Sequence, residues 1–114
     1  MKTTKSQFRE FKEEVERCIT VFSLDAWSVR FRHTDIKEYS KIEYENYMAT
    51  FFFPTQVKEP EHFDVIALAK HEVCHLLLWE LATLALKRFC NKEEVDRAEE
   101  GIACRMEKIL VELA

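Results

Sequence analysis

The sequence predicts a small α+β domain, and three observations lead to that prediction. Apolar residues recur every three or four positions near both ends of the chain, which indicates amphipathic helices. Within residues 27–54, WSVRFRH and KIEYENY alternate apolar and polar side chains, which is typical of strands with one buried face, and MATFFFPT is rich in β-forming residues. The 114 residues include one Gly and two Pro and are 47% hydrophobic, which suits a single domain over residues 1–114 without a linker.

The first helix is predicted over residues 4–22, where apolar side chains are separated by Lys and Glu. These apolar residues are Phe8, Phe11, Val15, Cys18, Ile19 and Phe22. The segment WSVRFRH then places Trp27, Val29 and Phe31 on one face of a strand. KIEYENY and MATFFFPT continue the strand pattern as far as Pro54. We expect two or three strands that form a small antiparallel sheet.

Two helices are predicted after the sheet. The stretch from Pro60 to about Phe89 is apolar on nearly every side, so it predicts a central, buried helix. Asn91 is a suitable N-cap for the next helix, and Glu94 occupies the capping-box position. That last helix is predicted over residues 92–113.

The composition argues against several classes of protein. The net charge is −4 with both signs mixed along the chain, which disfavours a nucleic-acid-binding regulator. The charged N-terminus has no apolar leader, and no apolar run is long enough to cross a bilayer. We therefore expect a cytoplasmic protein with no membrane partner, whose four cysteines, which form no CxxC pair, are reduced thiols.

The segment AKHEVCHLLL carries a metal-binding spacing inside the predicted central helix. His71 and His75 are four residues apart, so both can direct an imidazole nitrogen at one ion. Glu72 can take a proton from a water held by that ion. The alternative is a pair of histidines in a buried helix without a ligand. Burying three unpaired polar side chains is costly, whereas one metal ion satisfies them together, so the motif predicts one Zn²⁺ per chain.

A catalytic zinc site takes three protein ligands, and no histidine follows His75. The third ligand is then a carboxylate, an upstream histidine or a cysteine. In the last helix, Glu99 falls within the apolar stripe, whereas Glu100 turns away from it. Because a carboxylate in a core-facing stripe needs a partner, Glu99 is the first candidate and Glu100 the second. The stripe consists of Val95, Ile102, Met106, Ile109 and Leu113.

HEVCH followed by a helix with AEEGIACRME resembles the gluzincin class of zinc metallopeptidases. The chain's size, its element order and its DAWSVRF segment are similar to the minigluzincins and to small phage and prophage metallopeptidases. The resemblance implies a minimal zincin-like fold in which His71, His75 and Glu99 bind zinc and Glu72 is the general base. It also implies that an edge strand lies beside the central helix and could hold an extended peptide.

Two features depart from the pattern of the larger gluzincins. These often carry an Asp four residues after the ligand Glu, where it steadies a zinc-bound His, but the corresponding residue here is Ala103. No residue stands out as the donor that stabilises the tetrahedral intermediate, and Tyr44, Tyr47 and His33 are candidates. His33 and His62 are also possible upstream ligands.

The sequence thus predicts a zinc-dependent peptidase that acts on a peptide or protein substrate. Glu72 is expected to take a proton from a zinc-bound water and to pass it to the leaving amine. The alternative is a catalytically weak, zinc-stabilised module with a protein-interaction or regulatory role. A closed coordination sphere would favour the module, and an open one the peptidase.

Overall fold

A computed structural model describes residues 1–86 and 91–113 of the chain. The helices are α1 (Lys5–Val21), α2 (Val65–Leu77), α3 (Trp79–Leu86) and α4 (Lys92–Leu113), with a 3₁₀ turn at Pro60–His62. The strands are β1 (Ser28–Thr34), β2 (Lys41–Glu45) and β3 (Met48–Pro54). These elements confirm the α+β class and the predicted first and last helices.

The three strands form a mixed sheet, so the expectation of an antiparallel sheet was wrong in part. The strand order is β1-β3-β2: β3 lies in the middle, parallel to β1 and antiparallel to β2. Residues 35–40 connect β1 to β2 across the position that β3 later occupies. Strand β3 then pairs between β1 and β2. As a result, β2 is an edge strand.

A two-residue turn joins β2 to β3. Asn46 and Tyr47 both adopt left-handed backbone conformations, with φ of 48° and 63°. Two successive positive φ values define the tight hairpin whose twist matches that of antiparallel strands. The Tyr47 ring packs against Trp27 and Trp79, with ring centroids 5.1 and 5.6 Å apart. This aromatic cluster holds the hairpin against the helices.

The core lies between the sheet, α1 and α2. The strand predicted as far as Pro54 is confirmed as β3, in which the second, fourth and sixth residues are buried while Thr50 and Phe52 are only partly so. The helices contribute the apolar faces expected from their spacing. Buried members of this core are Phe11, Val15, Cys18, Ile19, Trp27, Ala49, Phe51, Phe53, Val65, Ala69, Val73 and Leu76. Helix α2 therefore runs through the interior, as expected of the central helix.

The single central helix predicted from Pro60 is in fact divided. Asp64 caps α2 by accepting a hydrogen bond from the Ala67 N–H at 3.1 Å, so the helix begins after the 3₁₀ turn. Helix α2 ends at Leu77, and Leu78 separates it from α3. The Leu78 N–H is directed at the carbonyls of Cys74 and Leu76. The predicted helix end at Phe89 lies outside the described residues.

Helix α4 begins as predicted. The Glu94 N–H donates to the Asn91 side chain at 2.8 Å, and the Asn91 amide donates to the Glu94 carboxylate at 2.7 Å. The side chains of Ile109 and Leu113, which completed the predicted stripe, are outside the described set. Within residues 1–86 and 91–113, the structure contains no helix of the length and apolarity needed to cross a membrane.

A buried ion pair joins α1 to α2 directly before the HEVCH segment. The Glu14 carboxylate lies 3.8 Å from Lys70 Nζ, and these two side chains are 9% and 4% exposed. Arg17 donates three hydrogen bonds to the same carboxylate, at 2.7, 2.8 and 3.3 Å. Glu14 thus provides the compensating charge for a lysine inside the protein.

Replacing Glu14 with Ala is expected to lower the free energy of unfolding by about 3–5 kcal/mol, because Lys70 would stay buried without its partner. Urea unfolding monitored by circular dichroism measures this change. Glu16→Ala is the matched control on the same helix, since Glu16 is exposed, and it should change stability by less than about 0.5 kcal/mol. Equal effects from the two substitutions would contradict the assigned role of Glu14.

Candidate metal centre

Helix α2 presents both histidines of the HEVCH segment on one side. His71 Nε2 and His75 Nε2 lie 3.1 Å apart, and the two side chains are 13% and 14% exposed. This separation is shorter than twice a Zn–N bond of about 2.0–2.1 Å, so one ion can bind both nitrogens. The predicted convergence of the two imidazoles is therefore present in the structure.

Glu100 on α4 contacts both of these nitrogens. Its Oε1 atom is 2.7 Å from His71 Nε2, and its Oε2 atom is 2.9 Å from His75 Nε2. The carboxylate thus lies where two imidazole nitrogens converge, and its side chain is 53% exposed. Two imidazoles and a carboxylate are the ligand set of a common class of catalytic zinc site.

Two further carboxylates contact the opposite nitrogens of the imidazole rings. Glu99 Oε2 lies 3.3 Å from His75 Nδ1, and Glu107 Oε2 lies 3.2 Å from His71 Nδ1. A carboxylate at this position fixes the orientation and the tautomer of a metal-bound His. Glu99 is well buried, at 11% exposure, as the stripe predicted. Its contact is with Nδ1, however, and Glu100 rather than Glu99 contacts the converging Nε2 atoms.

The electrostatics of the site suit a cation. Four carboxylates surround the two imidazoles: Glu99, Glu100 and Glu107 contact them, and Glu72 is close enough to interact with both. Even two protonated histidines would leave an excess of negative charge here. Burial lowers the pKa of His75, but the hydrogen bond to Glu99 and the nearby carboxylates outweigh this effect, so its pKa is raised. The donor set and the charge both fit a divalent ion such as zinc.

Glu72 is buried beside this cluster and is held by a single described side chain. The Ser40 hydroxyl donates a hydrogen bond to Glu72 Oε1 at 2.9 Å, and both residues are buried. Burial raises the pKa of Glu72, while the histidines and the Ser40 hydrogen bond act in the opposite direction. A raised pKa makes this carboxylate a stronger base than an exposed glutamate.

An open cleft of about 630 Å³ exposes the cluster to solvent. One side is formed by residues 38–42 and Tyr44, which include most of the edge strand β2. The other sides are formed by α2 and α4 and include His71, Glu72, His75 and Glu100. The candidate metal centre therefore faces a cleft that runs beside an exposed strand edge.

Tyr44 is the sequence-predicted donor that lies in this cleft. Its hydroxyl is 3.5 Å from Glu99 Oε1. Burial, followed by the neighbouring Glu99 carboxylate, raises the pKa of Tyr44 to about 12, so the phenol keeps its proton at neutral pH. Tyr47 instead belongs to the aromatic cluster with Trp27 and Trp79.

The two upstream histidines are not part of the described site. His33 contacts the Thr3 hydroxyl at 2.7 Å and stacks on Phe8 with centroids 4.9 Å apart. His62 is exposed in the 3₁₀ turn, 3.9 Å from Glu59. Neither lines the cleft, so the structure does not bring them to the candidate metal centre.

Two residues of the site were missed by the sequence analysis. Ser40 lies in a connection with no motif, and its contact with Glu72 spans 32 residues of sequence. Glu107 does carry a signal, because it follows Glu100 by seven residues and so shares its side of the helix. That signal becomes visible only once Glu100 is placed at the centre.

No protein-family model, curated protein or solved structure matches this chain. The contacts described above are therefore the basis for assigning a function.

Proposed function

We propose that the protein is a zinc-dependent peptidase whose ligands are His71, His75 and Glu100. The observation that carries this proposal is the contact of one carboxylate, from a separate helix, with both Nε2 atoms of the HEVCH pair. Glu100 replaces Glu99 as the preferred third ligand. Glu99 and Glu107 take the orienting roles, because each contacts the outward nitrogen of one histidine.

The chemistry divides between the ion and the chain. Zinc held by these residues would act as a Lewis acid and would lower the pKa of a coordinated water. Glu72, in the same cleft and oriented by Ser40, would accept a proton from such a water and later donate it to the leaving amine. With Glu100 as the ligand, the position four residues later, where larger gluzincins often carry Asp, is Cys104. Glu107 takes over the supporting role, since it contacts His71 Nδ1 from α4.

The edge strand β2 provides a way to hold the substrate. It pairs with β3 on one side, and the cleft runs along residues 38–42 and Tyr44. An extended peptide can add to such an edge through main-chain hydrogen bonds. Binding of this kind would place a peptide bond of the substrate beside Glu72 and the histidines.

Tyr44 is the proposed donor to the oxygen of the scissile carbonyl as negative charge develops on it. Tyr44→Phe should lower kcat by about 10²–10³-fold, the usual effect of losing one oxyanion donor, with little change in KM or zinc content. Steady-state kinetics of the zinc-loaded protein test this expectation. Tyr47→Phe is the control from the neighbouring turn, and a similar loss in both variants would contradict the role of Tyr44.

The experiment that tests the proposed function is hydrolysis of a quenched fluorescent peptide library by the full chain after zinc loading. We expect cleavage that a chelator abolishes and that added zinc restores. Protein that holds zinc but cleaves none of the library, or cleaves equally with and without zinc, would contradict the peptidase assignment. The first of these results would favour the zinc-stabilised interaction module.

A further inference from the structure

Cys104 lies beside the candidate metal centre and has no part in the function proposed above. It follows Glu100 by one helical turn, and its Sγ atom is 4.0 Å from Glu100 Oε1. The sulfur, a His71 nitrogen and a Glu100 oxygen all lie within 4.8 Å of one another. Cys104 is partly exposed, whereas the other described thiols, Cys18 and Cys74, are buried.

The thiol lies near enough to its neighbours to share an ion with them after a small movement of its side chain. Zinc binds sulfur at about 2.3 Å and imidazole nitrogen at about 2.0–2.1 Å, so two such ligands at a tetrahedral angle lie about 3.5 Å apart. The sulfur is 4.0 Å from Glu100 Oε1 and within 4.8 Å of a His71 nitrogen, so it would have to approach these atoms by about 0.5 Å and at most about 1.3 Å. Cys104 is partly exposed, which leaves its side chain room for such a movement.

We propose that Cys104 is a fourth protein ligand of this metal, which closes the coordination sphere of the resting protein. The inference rests on the proposed zinc site, because it uses the same ion. Cys104 is not among the residues that line the cleft, so it approaches the centre from α4, while Glu72 and Tyr44 remain on the cleft side. Thiolate, two imidazoles and a carboxylate complete the four ligands typical of a closed zinc site.

Closure has a functional consequence for the peptidase. A catalytic site keeps one position for water, and a fourth protein ligand fills it. Sulfur and water would therefore compete for this position. The zinc-loaded protein would hydrolyse peptides in those molecules in which water has displaced Cys104, where Glu72 has a water from which to accept a proton.

Cobalt(II) added to the metal-free full chain tests this proposal, because a sulfur ligand gives a charge-transfer absorption in the near ultraviolet and other ligands do not. We expect the band in the wild-type protein, its loss in Cys104→Ser and its retention in Cys74→Ala. Cys74 is the matched control, since it is a buried thiol on α2 that packs against Ala103.

The outcomes separate this proposal from the proposed function. Visible cobalt bands without the near-ultraviolet band, or a band that persists in Cys104→Ser, overturn the role of Cys104 and leave the metal site intact. If wild-type protein binds no cobalt, the metal site and its closure both fall.

Alkylation of the wild-type protein provides a second readout that needs no variant. We expect bound metal to protect Cys104 from alkylation by iodoacetamide, because a metal-bound thiolate is a poor nucleophile. Peptide mass spectrometry measures the extent of alkylation. Equal modification of Cys104 with and without bound cobalt also overturns the proposal.

Discussion

Glu100→Ala is expected to weaken zinc binding by more than about 100-fold. Removing a residue that only supports a metal ligand weakens binding by about 10–100-fold, and removing a ligand itself should cost more. The physical reason is that this carboxylate contacts both converging nitrogens, at 2.7 and 2.9 Å, and no other described carboxylate does so. Competition with a chromophoric chelator measures the zinc dissociation constant. Because Glu100 is 53% exposed, the substitution should leave the fold intact.

Glu99→Ala is the matched control for this prediction. Glu99 contacts only the outward nitrogen of His75, so its loss should weaken zinc binding by about 10–100-fold. The two residues are adjacent in the sequence, but Glu100 contacts the Nε2 atoms proposed to bind zinc, whereas Glu99 contacts the outward Nδ1 atom of His75. A larger loss of affinity in Glu99→Ala than in Glu100→Ala would return the third-ligand role to Glu99.

Glu72→Gln is expected to reduce peptide hydrolysis by at least the 10²–10⁴-fold that a positioned general base typically contributes. Gln keeps the size of the side chain and can still interact with the Ser40 hydroxyl, but it cannot accept the proton. Zinc content should be unchanged, because Glu72 is not a ligand in the proposed site. Parallel measurements of kcat/KM and of zinc per chain test both parts of the prediction.

Ser40→Ala supplies the comparison for Glu72→Gln. It removes the buried hydrogen bond at 2.9 Å but keeps the carboxylate, so activity should fall less than in Glu72→Gln. Activity in Glu72→Gln equal to that of the wild-type protein would exclude Glu72 as the base. Loss of zinc in the same variant would instead indicate that Glu72 is itself a ligand.

The elements with strong periodicity could be predicted from the sequence. Helices α1 and α4 have apolar faces, and Asn91 with Glu94 marks the start of α4. The sheet order could not be predicted, because alternation shows which face of a strand is buried but not which strand lies beside it. The start of α2 was predicted at Pro60, which is common in the first turn of a helix. The helix instead begins after Asp64, whose side chain accepts the capping hydrogen bond from the Ala67 N–H.

The candidate site shows a similar limit. The HEVCH spacing predicts two converging imidazoles, since residues four apart share a helix face. The choice between Glu99 and Glu100 depends on which nitrogen of each ring faces α4, and a helical pattern carries no information on that. Burial favoured Glu99, yet the more exposed Glu100 has the contacts to both Nε2 atoms. Here a side chain's neighbours, rather than its burial, indicate its role.

The central claim is that the HEVCH pair and Glu100 form a zinc site. The most direct test is the zinc content of the purified wild-type chain, measured by mass spectrometry after reconstitution and removal of loosely held metal. The proposed ligand set predicts about one zinc ion per chain. A chain that retains no zinc would contradict the claim, and His71 and His75 would then be histidines that pair only with the surrounding carboxylates.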